Sequence, residues 1–160
     1  MVNAAAIHGL LAEVADPEIP VLTIADLGIL REVRVDDGGG VEVDITPTYS
    51  GCPALEAIRA DIEATLRRHG HTAITVRTVL TPAWTTDWMS ADGRRKLHEY
   101  GIAPPGPTRG NGREGAEAAV LCPQCGSAHT SELSRFGSTP CKALHRCVTC
   151  REPFEHFKAH

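Results

Sequence analysis

Cys122-Pro123-Gln124-Cys125 and Cys147-Val148-Thr149-Cys150 decide how the C-terminal part of the chain folds. Each Cys-x-x-Cys turn can place two thiolates side by side, and two such turns make the tetrahedral four-sulfur cage that zinc prefers. The 21 residues between them slightly exceed the usual window and leave room for a pair of β-hairpins. Two separate redox dithiols, or disulfides in a secreted protein, are the competing readings. The N-terminus, Met1-Val2-Asn3-Ala4-Ala5-Ala6, has no basic lead and no long apolar run. Nothing there resembles a signal peptide or a membrane span, so a cytoplasmic location is expected. In that compartment six cysteines are held as thiols or metal ligands more often than as disulfides. The expectation is a structural zinc ion on Cys122, Cys125, Cys147 and Cys150. Iron is the alternative, because four thiolates suit either metal.

Outward from the cysteines, the chain divides. From Gly101 to Gly115, eight of fifteen residues are Gly or Pro, with almost nothing to bury. Such a stretch reads as a linker. The expected division is a domain over residues 1–103, a Gly/Pro-rich linker over 104–118 and a metal module over 119–160. The module is near the ~40-residue size below which an apolar core alone rarely holds a fold. Its large apolar residues are few: Leu121, Leu133, Phe136, Leu144, Val148, Phe154 and Phe157. Metal binding, worth about 10–16 kcal/mol in sites of this kind, would supply much of its folding free energy.

Charge narrows the partners. Residues 1–103 carry nine Lys/Arg against fifteen Asp/Glu, and the rest carry seven against five. Neither part has the strongly basic face of a nucleic-acid binder. The run Arg94-Arg95-Lys96 is adequately explained as a solvated helix face. The ribbon also lacks the aromatic-basic platform that stacks single strands.

In the first domain, Ile7, Leu10, Leu11 and Val14 recur at helical spacing after Asn3, a candidate N-cap, which predicts a helix over 4–14. Asp16-Pro17 stops it. Val41, Val43 and Ile45 alternate with Glu42 and Asp44. With the segment 29–35 across Asp36-Asp37-Gly38-Gly39-Gly40, they predict a hairpin with one buried face. Leu55, Ile58, Ile62 and Leu66 form a helical stripe after Pro53. Ile74, Val76, Thr78 and Leu80 alternate as a third strand, and Ser90 can cap a last helix ending at Tyr100-Gly101. The order α-β-β-α-β-α predicts an α+β fold: a small sheet with packed helices, then a small β-rich zinc-ribbon module.

Thr46-Pro47-Thr48-Tyr49-Ser50-Gly51-Cys52-Pro53 runs from a strand through a hydroxyl-rich turn into a helix N-terminus. Unpaired N–H groups and the helix dipole favour an anion there. The Cys52 thiolate is therefore expected to form more easily than that of a free cysteine, with pKa ~8.5. A nucleophile, a redox thiol, a soft-metal ligand and a small packed N-cap residue all fit this position. Asp16-Pro17-Glu18 reads first as a helix stop and solvated turn. A carboxylate of that turn lying against the Cys52 loop would give a mixed sulfur and oxygen site, suited to transient iron. The chain has no GxGxxG, Walker loop, GxSxG or HExxH. Cys141 reads as a small packed residue between the knuckles.

Taken together, these residues resemble a known family. Asp16-Pro17-Glu18-Ile19-Pro20, Asp26-Leu27-Gly28 and Thr46 to Pro53 resemble the SufT-like iron–sulfur assembly domain. Trp84-Thr85-Thr86-Asp87-Trp88-Met89-Ser90, Gly101-Ile102-Ala103-Pro104-Pro105, Phe136 to Leu144 and Cys150-Arg151-Glu152-Pro153-Phe154 are similar to the PaaD (PaaJ) family of phenylacetate catabolism. That resemblance implies association with the multicomponent oxygenase that epoxidises the ring of phenylacetyl-CoA. Its catalytic subunit is di-iron, and its reductase carries a 2Fe–2S cluster and a flavin. It further implies an accessory or maturation factor rather than a catalyst, which would assist assembly of an iron–sulfur or di-iron centre. By the same resemblance Cys52 is the reactive or iron-binding thiol, and Asp16 and Glu18 shape its site. Cys122, Cys125, Cys147 and Cys150 are the ribbon ligands. The implied partners are the epoxidase components, above all the 2Fe–2S reductase, and iron–sulfur assembly proteins; a homodimer is compatible. A docking subunit that braces the oxygenase, or a thiol-dependent enzyme using Cys52, are the other readings. One departure stands out: many members end with a cysteine after Phe-Lys, where this chain has Ala159.

Overall fold

The structure, a computed structural model, describes residues 3–107 and 119–160 of the 160-residue chain. Most of the expected linker 104–118 lies outside the described residues. The chain forms two compact units, Met1–Gly93 and Arg94–His160. Among the described residues no helix is long and apolar enough to cross a membrane.

The first unit opens with α1 (Ala4–Leu11). Asn3 stands in extended conformation ahead of it and accepts a hydrogen bond from Ala6 N at 2.7 Å, which satisfies one of the helix's orphan donors. The helix ends short of the expected residue 14. Val14 N turns back to Leu11 O at 3.1 Å, and Ala15 bridges Thr23 instead. Pro17 reinforces this stop, since the residue before a proline is driven out of the helical region.

Next comes the predicted hairpin, β1 (Leu30–Val35) paired antiparallel with β2 (Val41–Ile45). The stripe of α2 (Ala54–Arg68) buries Ile58, Ile62 and Leu66 almost completely. Truncating any of them to Ala would cost about 2–5 kcal/mol. The chain then returns as β3 (Ile74–Thr78), parallel to β2, giving the sheet order β1-β2-β3. A parallel pair needs a crossover, and α2 supplies it. The strand stops at Thr78, so Leu80, expected within it, is 61% exposed. The central strand buries Val41, Val43 and Ile45, and the helices pack along its neighbours, α1 at β1 and α2 at β3. On the other, Arg34 (2.8 Å) and Arg77 (3.1 Å) bracket the Asp44 carboxylate. From α2, Arg59 donates to Val76 O and to Thr78 Oγ1, so part of the β3 edge meets a cation rather than an open backbone acceptor.

Past β3, a 3-10 turn (Thr86–Trp88) leads to α3 (Ala91–Glu99). As expected, Ser90 caps α3, accepting from Gly93 N at 2.9 Å.

The second unit holds a four-stranded sheet of β4 (Ile102–Ala103), β5 (Thr130–Ser134), β6 (Lys142–Cys147) and β7 (Pro153–Phe157), in the order β4-β7-β6-β5. β5–β6 and β6–β7 are antiparallel, while β4 pairs parallel with β7. Ile102 and Ala103, read from sequence as the end of the first domain, therefore belong to the sheet of the second unit. Around the knuckles, Ala103, Cys122, Cys147 and Phe154 form a buried cluster, with Val120 and Cys150 against it, while Ile102, Ala143 and Phe157 are buried elsewhere in the unit. Leu121, Leu133, Phe136 and Val148 stay more than half exposed. Half of the cluster at the knuckles is cysteine.

Candidate functional site

The two knuckles of the ribbon are built alike. Gly126 N returns to Cys122 O at 2.8 Å, and Cys122 N to Ser127 O at 2.9 Å. At the second knuckle Cys147 N reaches Glu152 O at 3.0 Å, and Cys150 N reaches Cys147 Sγ at 3.4 Å. That N–H, the largest influence on the group, helps to hold the Cys147 thiol down at about 6. A thiolate is the form that binds metal.

The four Sγ atoms lie within 4.8 Å of one another. Cys122 and Cys150 are 3.7 Å apart, and Cys125 and Cys147 3.6 Å. A tetrahedral ion with Zn–S bonds of about 2.3 Å has sulfur–sulfur edges of about 3.8 Å. The donor set and its spacing fit zinc. The shared role of Cys122 and Cys147 as core residues and ligands ties metal to fold, as expected for so small a module. Among the described residues this is the one group of three or more potential ligands that could hold a metal.

The second candidate is the Cys52 turn. Gly51, at φ 78°, reverses the chain, and Cys52 N closes the turn on Tyr49 O at 3.2 Å. Cys52 stands just outside the N-terminus of α2, whose cap position is taken by Pro53 without a side-chain bond. The thiol is half-buried. Contrary to the expectation of an easily formed thiolate, burial pushes the Cys52 thiol up, and the charges of Glu18 and Asp16 push the same way. The Ala54 N–H and the Thr48 hydroxyl act in the opposite direction without prevailing. The helix-terminus effect is real but is outweighed by desolvation and two like charges.

Asp16 and Glu18 thus stand near enough to Cys52 to bias it, although the three donors do not gather into a group like that of the ribbon. Asp16 also shapes its own turn: its buried carboxylate accepts from Glu18 N at 2.9 Å and from Ile19 N at 2.7 Å. Such an Asx turn fixes the chain direction and presents Glu18, which is only partly buried.

Asp26-Leu27-Gly28 and the tryptophan motif form one packed joint. Trp84 Nε1 donates to Leu27 O at 2.7 Å. Gly28 has φ 71°, and a Cβ there would lie 2.7 Å from Trp88 Cβ. Ser90 Oγ donates to Asp26 Oδ1 at 3.1 Å, and Ser90 N to Asp26 O at 2.8 Å. These motif residues carry structure. A third network escaped the sequence reading: Lys142, buried, pairs with Glu155 at 2.6 Å, and Glu155 accepts from Ser138 N at 2.9 Å. No local signal announces it, because its partners meet only through strand register.

Known proteins fit this division. Residues 4–78 match the family described as "Iron-sulfur cluster assembly protein", and residues 106–158 match "PaaD zinc beta ribbon domain". The Staphylococcus aureus (strain USA300) protein named Fe-S protein maturation auxiliary factor SufT is 38% identical over 48% of this chain and 88% of its own length. A crystal structure of a domain of unknown function, DUF59, from Bacillus anthracis superposes with a TM-score of 0.55 at 27% identity. It covers 59% of this chain and 90% of that one. By class, then, this is an assembly-type α+β domain followed by a zinc ribbon. An Escherichia coli (strain K12) protein named as a subunit of 1,2-phenylacetyl-CoA epoxidase is 51% identical over 95% of this chain and 90% of its own length. The chain belongs to the PaaD family.

Proposed function

We propose that this protein is a maturation factor for the phenylacetyl-CoA epoxidase system of aerobic phenylacetate catabolism. It assists assembly of an iron–sulfur or di-iron centre through Cys52, with Asp16 and Glu18 completing the site. The observation that carries this reading is the half-buried Cys52 thiol lying within the electrostatic reach of both carboxylates. The family of residues 4–78 and the 51% identical relative support it.

The chemistry is one of transient handling. A thiol held protonated by burial and neighbouring charge is a poor nucleophile toward carbon at neutral pH. A cationic cargo reverses that balance: it offsets the negative charge of Glu18 and Asp16 and displaces the thiol proton. The soft donor and the two hard donors are not gathered around one point, so a cargo ion held there keeps open positions, which suits release to an acceptor better than storage. In this reading the protein is not itself a catalyst and works in the cytoplasm. The first unit handles the cargo, and the ribbon unit, held by zinc, is a structural and docking module. The reductase with its 2Fe–2S cluster is the first acceptor to test, and iron–sulfur assembly proteins are the natural donors.

Co-expression of the epoxidase components with the wild-type chain or with Cys52→Ser tests the proposal. The purified reductase and di-iron subunit are then assayed for iron content and for the visible bands of the cluster. Loss of iron with the folded variant is expected; full occupancy would refute the role. A docking subunit that braces the oxygenase is the second reading. It is favoured by the exposed apolar residues of the ribbon, and it requires stoichiometric co-purification indifferent to Cys52.

A further inference from the structure

The ribbon carries a feature that neither its metal nor its core requires. Phe136, between β5 and β6, is 65% exposed. A single exposed apolar side chain needs no explanation, but here the surrounding turn is tied at every step. Phe136 N donates to Ser134 Oγ at 3.2 Å, and Gly137 N to Lys142 O at 2.7 Å. Ser138 gives its N–H to Glu155 Oε1 at 2.9 Å and its hydroxyl to Glu155 Oε2 at 3.1 Å. Glu155 is in turn held by the buried Lys142 at 2.6 Å. A Cβ on Gly137 would stand 3.1 Å from Glu155 Oε1, so the turn lies close against the carboxylate. Buried ion pairs are weak contributors to stability, whereas a rigid turn presenting an aromatic ring is what a binding surface needs.

The charges around the ring give the partner's sign. Lys158 Nζ lies 4.6 Å from the centre of the Phe136 ring and donates to Arg135 O at 2.9 Å. Arg135 is exposed. Among the described residues neither cation meets a carboxylate. Glu155 is committed to Lys142 and Ser138, and Glu132 faces His145 at 3.8 Å. Leu133, at the irregularity of β5, adds a second exposed apolar side chain. Aromatic residues and arginine are enriched at protein interfaces relative to the rest of the surface, and Arg135 precedes the ring in sequence.

We propose that the ribbon tip, Phe136 with Arg135 and Lys158, docks onto a protein surface that offers an apolar pocket rimmed by carboxylates. This inference rests on the reading above, in which the chain acts on other components of the epoxidase. Two cations and one ring are too few for a nucleic-acid track.

The test uses the zinc-loaded full-length chain, with each purified epoxidase component as the probe, titrated at low and at high salt. One component is expected to bind, more weakly at high salt. Phe136→Ala should weaken that binding about tenfold or more, with zinc content and melting temperature unchanged. Arg135→Glu with Lys158→Glu should abolish it, and this second variant keeps the test open if the first misfolds. Unchanged affinity in both variants overturns the proposal. So does ring-dependent binding seen only between copies of this chain or only to a single-stranded oligonucleotide, and so does the absence of any binding. The maturation reading is judged separately by the iron content obtained with Cys52→Ser.

Discussion

Gly126 and Arg151 occupy the same place in the two knuckles, each following the second cysteine, and both take the left-handed conformation, at φ 74° and φ 67°. The conformation costs glycine nothing and costs a side-chain-bearing residue about 1–2 kcal/mol. Arg151→Gly should therefore stabilise the zinc-loaded protein by up to about 1 kcal/mol after the entropy of glycine is counted. Gly126→Ala should destabilise it by a similar amount. Paired thermal melts at fixed zinc test the asymmetry, and equal losses in both variants would contradict it.

Removing the metal should unfold the second unit and spare the first. Cys122 and Cys147 are at once ligands and half of the buried cluster at the metal site, with Cys150 packed against it, so the apo module loses much of what holds it together. In a two-dimensional NMR spectrum recorded after chelation, amide signals of residues 119–160 should collapse toward random-coil positions while those of residues 3–80 hold. Unchanged ribbon signals would count against a structural metal.

Cys52 should alkylate slowly at neutral pH. Burial, then the charges of Glu18 and Asp16, hold its thiol above the ordinary range, and the thiolate is the reacting form. The rate with iodoacetamide should rise only at a higher pH than for a free cysteine, near ~8.5. Glu18→Gln removes a negative charge, lowers the thiol pKa and so speeds the reaction at any given pH below the midpoint. Peptide mass spectrometry resolves Cys52 from the metal-bound thiols. A rate left unchanged by Glu18→Gln would show that the carboxylate does not reach the thiol.

Gly28→Ala should be among the most damaging substitutions in the first unit. It places a Cβ 2.7 Å from Trp88 Cβ and 2.8 Å from Trp88 O, at a φ of 71°. The steric and conformational terms together amount to about 2–4 kcal/mol. A midpoint in urea within error of wild type would show that the tryptophan motif can move away.

Much of the first unit was legible because each element repeats a simple period. Val41, Val43 and Ile45 alternate, Ile58, Ile62 and Leu66 share a helical stripe, and Asn3 and Ser90 mark helix starts. Other features had no local signature. The alternation of Ile74 and Val76 is the same for a parallel and an antiparallel strand, so the pairing of β3 could not be read. Ile102 and Ala103 are two residues between glycine and proline, too few to show any period, and their partner strand lies at the far end of the chain. The helix start after Cys52 was visible. The net effect on its thiol was not, because burial and the approach of Glu18 are tertiary. Arg151 gave no sign of its left-handed backbone, which glycine would have announced.

The pairing of Ile102 and Ala103 with Glu155 and His156 changes the meaning of the Gly/Pro-rich stretch that follows. Strands before and after it belong to one sheet, so the stretch between them joins two parts of one module rather than two modules. Lengthening it adds only a slowly growing closure cost, which makes it a tolerant place to insert a tag. A protease that cuts there nicks the ribbon without releasing it, because the severed piece still holds one edge of the sheet.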